Sequence, residues 1–511
     1  MIKAIPTKDT LSNDTDLTWR DRRYQKFYQI VDQLVHEIQE HVWLETGKRK
    51  RRVKGSELAR LTYSIECIIR DCVTVVYGTK RVGEAAIYRG QYHYGANRPD
   101  QRLTYKIHVQ RAFNALKEMG YVQISTEGFY AREKHQNQEN TSQLSRFIAR
   151  PKLLDLFKES LTVLPVVIPP YWDPEPIKVK SKGNDELGIQ RRYSHSFDDT
   201  ELSDRMFSNL ATINKSLSRH WYDLEISNQE MAELAVKRAP KGKPPQPVRF
   251  NRRTVHRSFN DTQFETGGRF YGGWWENLPK EYRQFIVING KRTVELDYSS
   301  MHPLLVYVQA GLEMPNDAYS GIIYPRKYPK TSYENDQDPM KDLRKMIKRS
   351  LNAMLNSTKL MTRPPRKRKP DDYGPNDFGL TWKEIVNAIL EFHHPISDFF
   401  FSGIGSRLQR IDSEIAEQTM LHFTKNNIPM LPIHDSFIMH AAYESELREV
   451  MNRSFVQVTG FNGKVEIEKK SKRVETITDD CGLLKDHPDD EWLEEYLSLE
   501  HVKRLHAFQA L

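Results

Sequence analysis

The amino-acid sequence predicts an α+β fold, and three observations support this prediction. Two apolar runs in the second half of the chain, residues 294–303 and 430–438, have the composition of short buried strands. Apolar positions recur with helical spacing from Trp19 to His41, and the segment that contains Arg344 and Lys348 is also predicted to be helical. With 511 residues the chain exceeds one typical hydrophobic core, so two to four domains are expected.

Composition narrows the class of protein. Hydrophobic residues make up 38% of the chain and the mean hydropathy is −0.69, as in soluble globular proteins. No apolar run could span a bilayer and residues 1–3 do not begin a secretory signal, so we expect a cytoplasmic, nucleoid-associated protein without membrane contact. The three cysteines, Cys67, Cys72 and Cys481, form no CxxC pair, which argues against a disulfide framework and a structural zinc site.

The charge of the chain is compatible with two kinds of surface. A formal net charge of +9 and a pI near 9.1 favour a polyanionic partner such as nucleic acid. However, 77 basic and 68 acidic residues also describe an ordinary mixed surface. Two cationic runs, residues 48–54 and 363–369, suit backbone phosphates and solvated linkers equally well.

Four regions are predicted along the chain. Residues 1–160 form a helical, nucleic-acid-binding domain, and residues 161–250 form a linker followed by helices. Residues 251–475 form a catalytic unit, and residues 476–511 form a helical tail. The linker prediction depends on the proline and charge content of residues 162–198.

The first region shows the order of a small DNA-binding module. A helix is predicted from Gly55, another over residues 104–119 with Gly120 as its C-terminal cap, and then strands at 121–124 and 128–130. This order resembles a winged helix-turn-helix, whose recognition helix would expose Lys106, Gln110, Arg111, Asn114 and Lys117, with Lys106, Gln110 and Arg111 as the expected nucleic-acid contacts. Such modules also hold proteins together, so both roles remain open.

Each of the two predicted strands carries an aspartate to the rim of a sheet, Asp297 in the first and Asp435 in the second. Apolar neighbours would fix the carboxylates while their metal-facing side stays open. Magnesium prefers hard oxygen ligands, so we expect Asp297, Asp435 and the main-chain oxygen of Tyr298 to hold two Mg²⁺ ions, or Mn²⁺ in their place. For either aspartate alone, a turn or helix cap is the alternative.

Between the two aspartates lies a cationic helix. Arg344 and Lys348 are four residues apart and therefore share a face. A triphosphate along that face would meet Arg344 at its terminal phosphate, and Lys348 would neutralise or protonate the departing pyrophosphate. The alternative is an ordinary basic surface helix.

Five ordered segments resemble the family A DNA polymerases and their relatives, the single-subunit phage-type RNA polymerases. The segment around Asp297 resembles polymerase motif A, residues 344–351 resemble motif B and residues 433–437 resemble motif C. Residues 267–271 resemble the arginine-bearing template-contact stretch, and residues 408–416 resemble the glutamine-bearing helix before motif C. The resemblance covers about residues 251–470.

This resemblance implies a right-hand polymerase palm with an antiparallel sheet, helical fingers and a thumb-like helical region before them. It implies template-dependent transfer of nucleotides from nucleoside triphosphates onto a DNA primer and template, with RNA as an alternative. The implied catalytic residues are Asp297, Asp435 and Lys348. The implied nucleotide contacts are Arg344, Lys348, His302, Asn352, Asn356 and Tyr298. The implied template and primer contacts are Arg269, Gln409 and His434.

Departures from the family pattern leave the product sugar open. His302 stands where the DNA enzymes usually have glutamate, and Asn356-Ser357 stand where motif B usually has an aromatic residue and then glycine. The amino-acid sequence of residues 434–437 is more similar to motif C of the RNA enzymes, whereas the stretch around Arg269 is more similar to the DNA enzymes. We expect a DNA polymerase without a proofreading exonuclease. The alternatives are a single-subunit RNA polymerase or primase, and a non-catalytic DNA-binding replication initiator or regulator.

Overall fold

A computed structural model describes residues 20–45, 55–74, 85–87, 106–127, 145–170, 176–184, 190–239, 245–327, 339–367, 372–463, 465–470 and 499–511. Helices and largely antiparallel sheets build a mixed α+β architecture, which confirms the predicted fold class at this level. Within these ranges no helix is both long enough and apolar enough to cross a membrane.

The N-terminal unit combines helices with a small antiparallel sheet. Its helices are α1 (Gln25–Glu45), α2 (Gly55–Thr74), α3 (Lys106–Glu118), α4 (Pro151–Asp155) and α5 (Leu164–Val167). Its strands β1 (Ala85–Ile87), β2 (Val122–Thr126) and β3 (Ser145–Ala149) pair in the order β1-β3-β2. Buried side chains such as Phe27, Ile65 and Phe113 give this unit a core of its own.

The end of α3 follows the sequence prediction, but the next strand pairing does not. Gly120 has a φ of +77°, and its N–H and that of Tyr121 bond back to the last turn of α3, so Gly120 terminates the helix as predicted. The strand that pairs with β2 is β3, more than twenty residues further along the chain. The predicted strand at 128–130 lies outside the described residues.

A second sheet contains four strands in the order β5-β4-β7-β8. They are β4 (Ile177–Asn184), β5 (Gln190–His195), β7 (His256–Phe259) and β8 (Gly267–Tyr271), and only β4 and β7 run parallel. The prediction of a linker over 162–198 is therefore wrong for β4 and β5. Ile177 and Val179 are buried while Lys178 and Lys180 are not, an alternation that the surrounding charge and proline obscured.

The helical part of the predicted 161–250 region is present. Helices α6 (Glu201–Ser218) and α7 (Asn228–Lys237) each begin at a capping box, formed by Thr200 with Ser203 and by Ser227 with Glu230. The cap side chains accept from N–H groups that have no partner within the helix, which is why the helices start there.

The largest sheet contains six strands, all paired antiparallel, with the path β11-β12-β10-β9-β6 and with β13 also paired to β10. These strands are β6 (Tyr222–Leu224), β9 (Ile286–Ile288), β10 (Lys291–Tyr298), β11 (Met430–Ile433), β12 (Ser436–His440) and β13 (Val465–Lys470). Strand β10 lies between β12 and β13, so its Val294 and Leu296 are almost fully buried.

Six further helices surround this sheet: α8 (Met301–Gln309), α9 (Pro339–Asn356), α10 (Trp382–Phe392), α11 (Gly405–Lys425), α12 (Glu444–Thr459) and α13 (Glu500–Gln509). Helix α11 contacts β8, α6, α8, α9 and α12, and thus connects the two larger sheets. Their buried side chains join those of both sheets in one continuous hydrophobic core, separate from that of the N-terminal unit.

Candidate active site

The β10–β12 ladder brings Asp297 and Asp435 together. Asp297 pairs with Ser436 across the ladder, and Asp435 is the residue immediately before Ser436. In addition, the N–H of Tyr298 donates to the carbonyl oxygen of Asp435 at 3.4 Å. The main chains of the two aspartates are therefore neighbours where strands β10 and β12 meet at one end of the six-stranded sheet. Both aspartates are half-buried.

Asp435 is presented by a tight turn. His434 and Asp435 form the two-residue connection between β11 and β12, whose flanking residues Ile433 and Ser436 pair directly. His434 has a φ of +59°, a left-handed conformation that costs a residue with a β-carbon roughly 1–3 kcal/mol. Such strain persists only where the surrounding structure enforces it, so the turn that carries Asp435 is held in place by its neighbours.

Beside the aspartates lies a buried ion cluster. Arg269, on β8, donates from Nε to both carboxylate oxygens of Asp412 at 3.0 Å, and Asp412 itself lies on α11 with 1% exposure. His302, on α8, places Nε2 at 3.1 Å from Arg269 Nη2 and at 3.3 Å from Asp412 Oδ2. Because arginine can only donate, His302 Nε2 can serve one of these two contacts at a time.

Arg269 is positioned by a close approach of β8 to α11. The preceding residue, Gly268, has a φ of +88°, and a β-carbon there would lie 2.7 Å from Phe259 and 2.8 Å from Ser413. The buried Arg257 spans the same junction, donating to the carbonyl oxygen of Gly268 at 2.8 Å and to Glu417 at 3.0 Å. Glycine at 268 is thus required for Arg269 to reach α11.

The charge of this cluster interacts with Asp435 and with the neighbouring His434. Burial by itself lowers the pKa of Arg269, but Asp412 and, more weakly, Asp435 outweigh it, so the pKa is raised. Burial and the charge of Arg269 lower the pKa of His434 below its ordinary value of 6.5, although Asp435 opposes them. His434 is therefore a neutral side chain at pH 7, beside a permanently cationic Arg269.

The cationic face of α9 is directed toward an aromatic ring. Arg344 Cζ lies 5.1 Å and Lys348 Nζ lies 5.7 Å from the ring centroid of Tyr319, which is within cation–π range. Arg344 also donates to Asp317 at 2.9 Å. Lys348 is exposed, and the described residues place no carboxylate within ion-pair distance of it.

Tyr319 connects this face to the carboxylates. Its side chain forms a hydrogen bond with Ser300, three residues after Asp297, and it lies within electrostatic reach of Asp435. Burial raises the pKa of Tyr319 to about 12, so its hydroxyl is protonated at neutral pH. Tyr319 therefore contacts both the α9 cations and Ser300, in the segment that follows Asp297.

The available donors determine which ion would suit this region. Within the residues that the structure describes, no group of three or more His, Cys, Asp or Glu side chains could hold a metal ion. Two half-buried carboxylates and adjoining main-chain oxygens are hard donors, and they are too few to enclose an ion. This set fits Mg²⁺ or Mn²⁺ that keeps water and substrate oxygens as its other ligands.

The remaining predicted nucleotide contacts are distributed along α8, α9 and β10. Asn352 and Asn356 lie on α9, where the Asn356 side chain donates to the Asn352 carbonyl oxygen at 2.7 Å. The Tyr298 side chain is turned into the core, its hydroxyl donating to the Met451 carbonyl oxygen at 2.7 Å. A nucleotide contact from Tyr298 would thus have to come from its main chain.

The predicted nucleic-acid contacts occupy two separate places. Gln409 is half-buried on α11, one turn before Asp412 and on the same side of the helix. On α3 in the N-terminal unit, Arg111 is exposed and pairs with Glu57 at 3.2 Å, and Gln110 is half-buried. Lys106 begins α3, and its side chain lies outside the described part of the structure.

Sequence reasoning did not assign three acidic or aromatic residues of this region. Asp412 could have been recognised because it follows Gln409 by three residues on a predicted helix. Tyr319 lies in an irregular segment after α8, and Glu295 stands in an apolar strand, so neither carried a local signal. No family model matches the chain, and no curated protein matches it in sequence.

Proposed function

We propose that the protein is a template-dependent nucleic-acid polymerase that extends a DNA primer from nucleoside triphosphates. The single observation that carries this proposal is the adjacency of Asp297 and Asp435 at the ends of two neighbouring strands, with the α9 cations over Tyr319, which bonds to Ser300 just after Asp297. Converging carboxylates that face a cationic helix are what metal-assisted phosphoryl transfer requires.

In this proposal Asp297, Asp435 and the main-chain oxygen of Tyr298 hold the divalent ions. When bound, such ions stabilise the attacking and departing oxygens of the displacement. Arg344 binds the terminal phosphate of the incoming nucleotide, for which it must exchange its present partner Asp317. Lys348 is a free cation among the described residues and supplies a proton or counter-charge to the departing pyrophosphate.

The proposal gives the other candidates positioning and template roles. Arg269, which pairs with Asp412 and His302 and lies within electrostatic reach of Asp435, would contact the template or primer. Gln409, on the same side of α11 as Asp412, would contact the adjacent base pair. His302 and Asn356 would approach the incoming sugar, so the sequence departures at these positions bear on the choice between ribose and deoxyribose.

The N-terminal unit adds a second proposed contact with nucleic acid. The exposed Arg111, together with Asn114 and Lys117, forms a polar face on α3 next to a three-stranded sheet. A helix that exposes such a face beside a small sheet suits the major groove of duplex DNA. We propose that it directs the polymerase to a duplex site.

The decisive experiment is primer extension with the Asp435→Ala variant. Purified wild-type protein with Mg²⁺, primed template and nucleoside triphosphates is expected to extend the primer. Asp435→Ala should abolish extension because one of the two metal-binding carboxylates is lost, while affinity for primed template stays nearly unchanged in an anisotropy titration. Retained extension by this variant rejects the proposed mechanism.

The same assay separates the rival functions. Ribonucleotides and deoxyribonucleotides are supplied separately, with and without primer, and the products are sequenced. Synthesis from ribonucleotides without a primer would identify an RNA polymerase or primase. If the wild-type protein incorporates nothing but shifts one duplex sequence selectively, a non-catalytic initiator replaces the polymerase proposal.

A further inference from the structure

A third carboxylate lies beneath the two aspartates. Glu295 is two residues before Asp297 on β10, so both side chains project from the same face of the sheet. Ser436 pairs with Asp297 across the ladder and belongs to that face as well. Glu295, Asp297 and Ser436 are thus same-face neighbours, although Glu295 is only 3% exposed and Asp297 is half-buried.

Glu295 links β10, which carries Asp297, to the β11–β12 hairpin, which carries Asp435. Its Oε1 accepts hydrogen bonds from Ser436 Oγ at 2.9 Å and from Arg283 Nη1 at 2.9 Å. Arg283 is largely buried and supplies the counter-charge that a buried carboxylate needs. Ser436 follows Asp435 directly, so the bond holds the residue that ends the strained turn at His434.

We propose that Glu295 is a positioning residue of the candidate active site: through Ser436 it fixes the turn that carries Asp435 against Asp297. The strained turn needs a neighbour that enforces it, and Glu295 makes a side-chain bond across the two strands to Ser436, the residue next to Asp435. Carboxylates that hydrogen-bond to metal-binding residues or to their neighbours, and so position them, commonly control metal affinity and turnover. The inference rests on the proposed polymerase function.

The first test is a double-mutant cycle on primer extension. Glu295→Ala and Ser436→Ala should each lower kcat about 10- to 100-fold, with the nucleotide KM changed far less. Because Glu295 acts through Ser436, the double variant should lose no more than either single variant. Ser436→Thr, which keeps the hydroxyl, should restore most of the rate, and Glu295→Gln, which keeps an acceptor of the same shape, should lose less than Glu295→Ala.

A matched control separates positioning from stability. Asp223 is an equally buried carboxylate, paired with Arg504 at 2.6 Å on the far edge of the same sheet. Asp223→Asn should lower the unfolding temperature as Glu295→Ala does, yet leave kcat unchanged below that temperature. Additive losses in the double variant, or wild-type kcat in Ser436→Ala, would overturn the inference.

A second measurement does not depend on polymerisation. Binding of Mn²⁺ is followed by electron paramagnetic resonance without primer or nucleotide, and Glu295→Ala and Ser436→Ala should each weaken it about 10- to 100-fold. If wild type binds Mn²⁺ but extends no primer, the proposed function fails while weakened Mn²⁺ binding still supports the positioning role. Unchanged Mn²⁺ affinity in both variants rejects that role.

Discussion

At the scale of single residues, two hydrogen bonds decide the protonation state of His393. This fully buried ring accepts from the Tyr307 hydroxyl at Nδ1, 3.0 Å away, and donates from Nε2 to the Ala318 carbonyl oxygen, also 3.0 Å away. A carbonyl oxygen only accepts, so Nε2 carries a proton, and burial disfavours a second proton on Nδ1, which keeps the ring neutral. His393 thereby holds the residue next to Tyr319, which connects α9 to the carboxylates.

Acidification should destabilise the protein through this ring. Burial lowers the pKa of His393 below its ordinary 6.5, so the unfolded chain takes up the proton first and stability falls as pH drops below 6.5. His393→Gln retains a donor and an acceptor without a charge, and should reduce the slope of unfolding free energy against pH by up to about 1.4 kcal/mol per unit. Denaturant titrations of the wild type and of His393→Gln between pH 7 and pH 5 measure this slope. Equal slopes in the two proteins would contradict the assignment of a buried, neutral His393.

Single residues also mark the limit of what the sequence could predict. Asp297 and Asp435 were found because each follows an apolar strand, which is a local pattern. The pairing of Arg269 with Asp412 spans 143 residues, and that of Glu295 with Ser436 spans 141. Neither pairing has a local signature, because the first depends on the packing of β8 against α11 and the second on the β10–β12 register.

At the scale of secondary-structure elements, the face of α9 gives the sharpest kinetic prediction. Arg344→Ala should raise the nucleotide KM about ten- to a hundredfold, because a hydrogen bond to a charged phosphate contributes roughly 1.5–3 kcal/mol. Lys348→Ala should instead lower kcat about 100-fold, as expected for a lost proton donor. Steady-state primer extension at varied nucleotide concentration distinguishes the two effects.

A neighbouring cation provides the control for this prediction. Lys345 lies on the same helix but is paired with Asp342 at 2.9 Å and is exposed. Lys345→Ala should therefore leave both kcat and KM unchanged. An equal effect of all three substitutions would mean that α9 contributes only its overall positive charge, contrary to the assigned roles.

Helices and strands were predicted correctly where apolar residues recur at regular spacing. They were missed where charged residues and proline obscure that spacing. Helix α1 and the end of α3 at Gly120 follow from apolar spacing and a glycine cap. Strands β4 and β5 were missed because lysine, arginine and proline dominate the segment, although Ile177 and Val179, two residues apart at the start of β4, are both buried. The packing of β4 against β7 outweighs the low strand propensity of its charged residues.

At the scale of the whole molecule, α13 joins the N-terminal unit to the rest. Arg504 donates to both oxygens of Asp223 at 2.7 and 2.6 Å, and Phe508 lies under the guanidinium groups of Arg23 and Arg253. Arg253 in turn donates to the Tyr24 hydroxyl of the N-terminal unit at 2.7 Å. A helix is thus present within the predicted C-terminal tail, and it docks through partners that the sequence did not indicate.

Removing the buried Arg504–Asp223 pair of α13 should lower the stability of the folded protein. Arg504→Ala leaves Asp223 buried without its counter-charge and should lower the free energy of unfolding by about 3–5 kcal/mol. Lys503→Ala, which removes an exposed cation from the adjacent position, should change it by less than about 0.5 kcal/mol. Equal losses in the two variants, measured by chemical denaturation, would show that the helix rather than the buried pair provides the stability.

The antiparallel pairing of β10 with β12 has a consequence for the order in which the candidate site forms during folding. Its partners are separated by about 140 residues, so the chain must close a very long loop before the two aspartates meet. Helices such as α9 and α11 depend on local contacts and can form much earlier. During refolding, helical circular dichroism should therefore recover well before binding at the proposed Mn²⁺ site, so that binding, if the proposal holds, would report this long-range step.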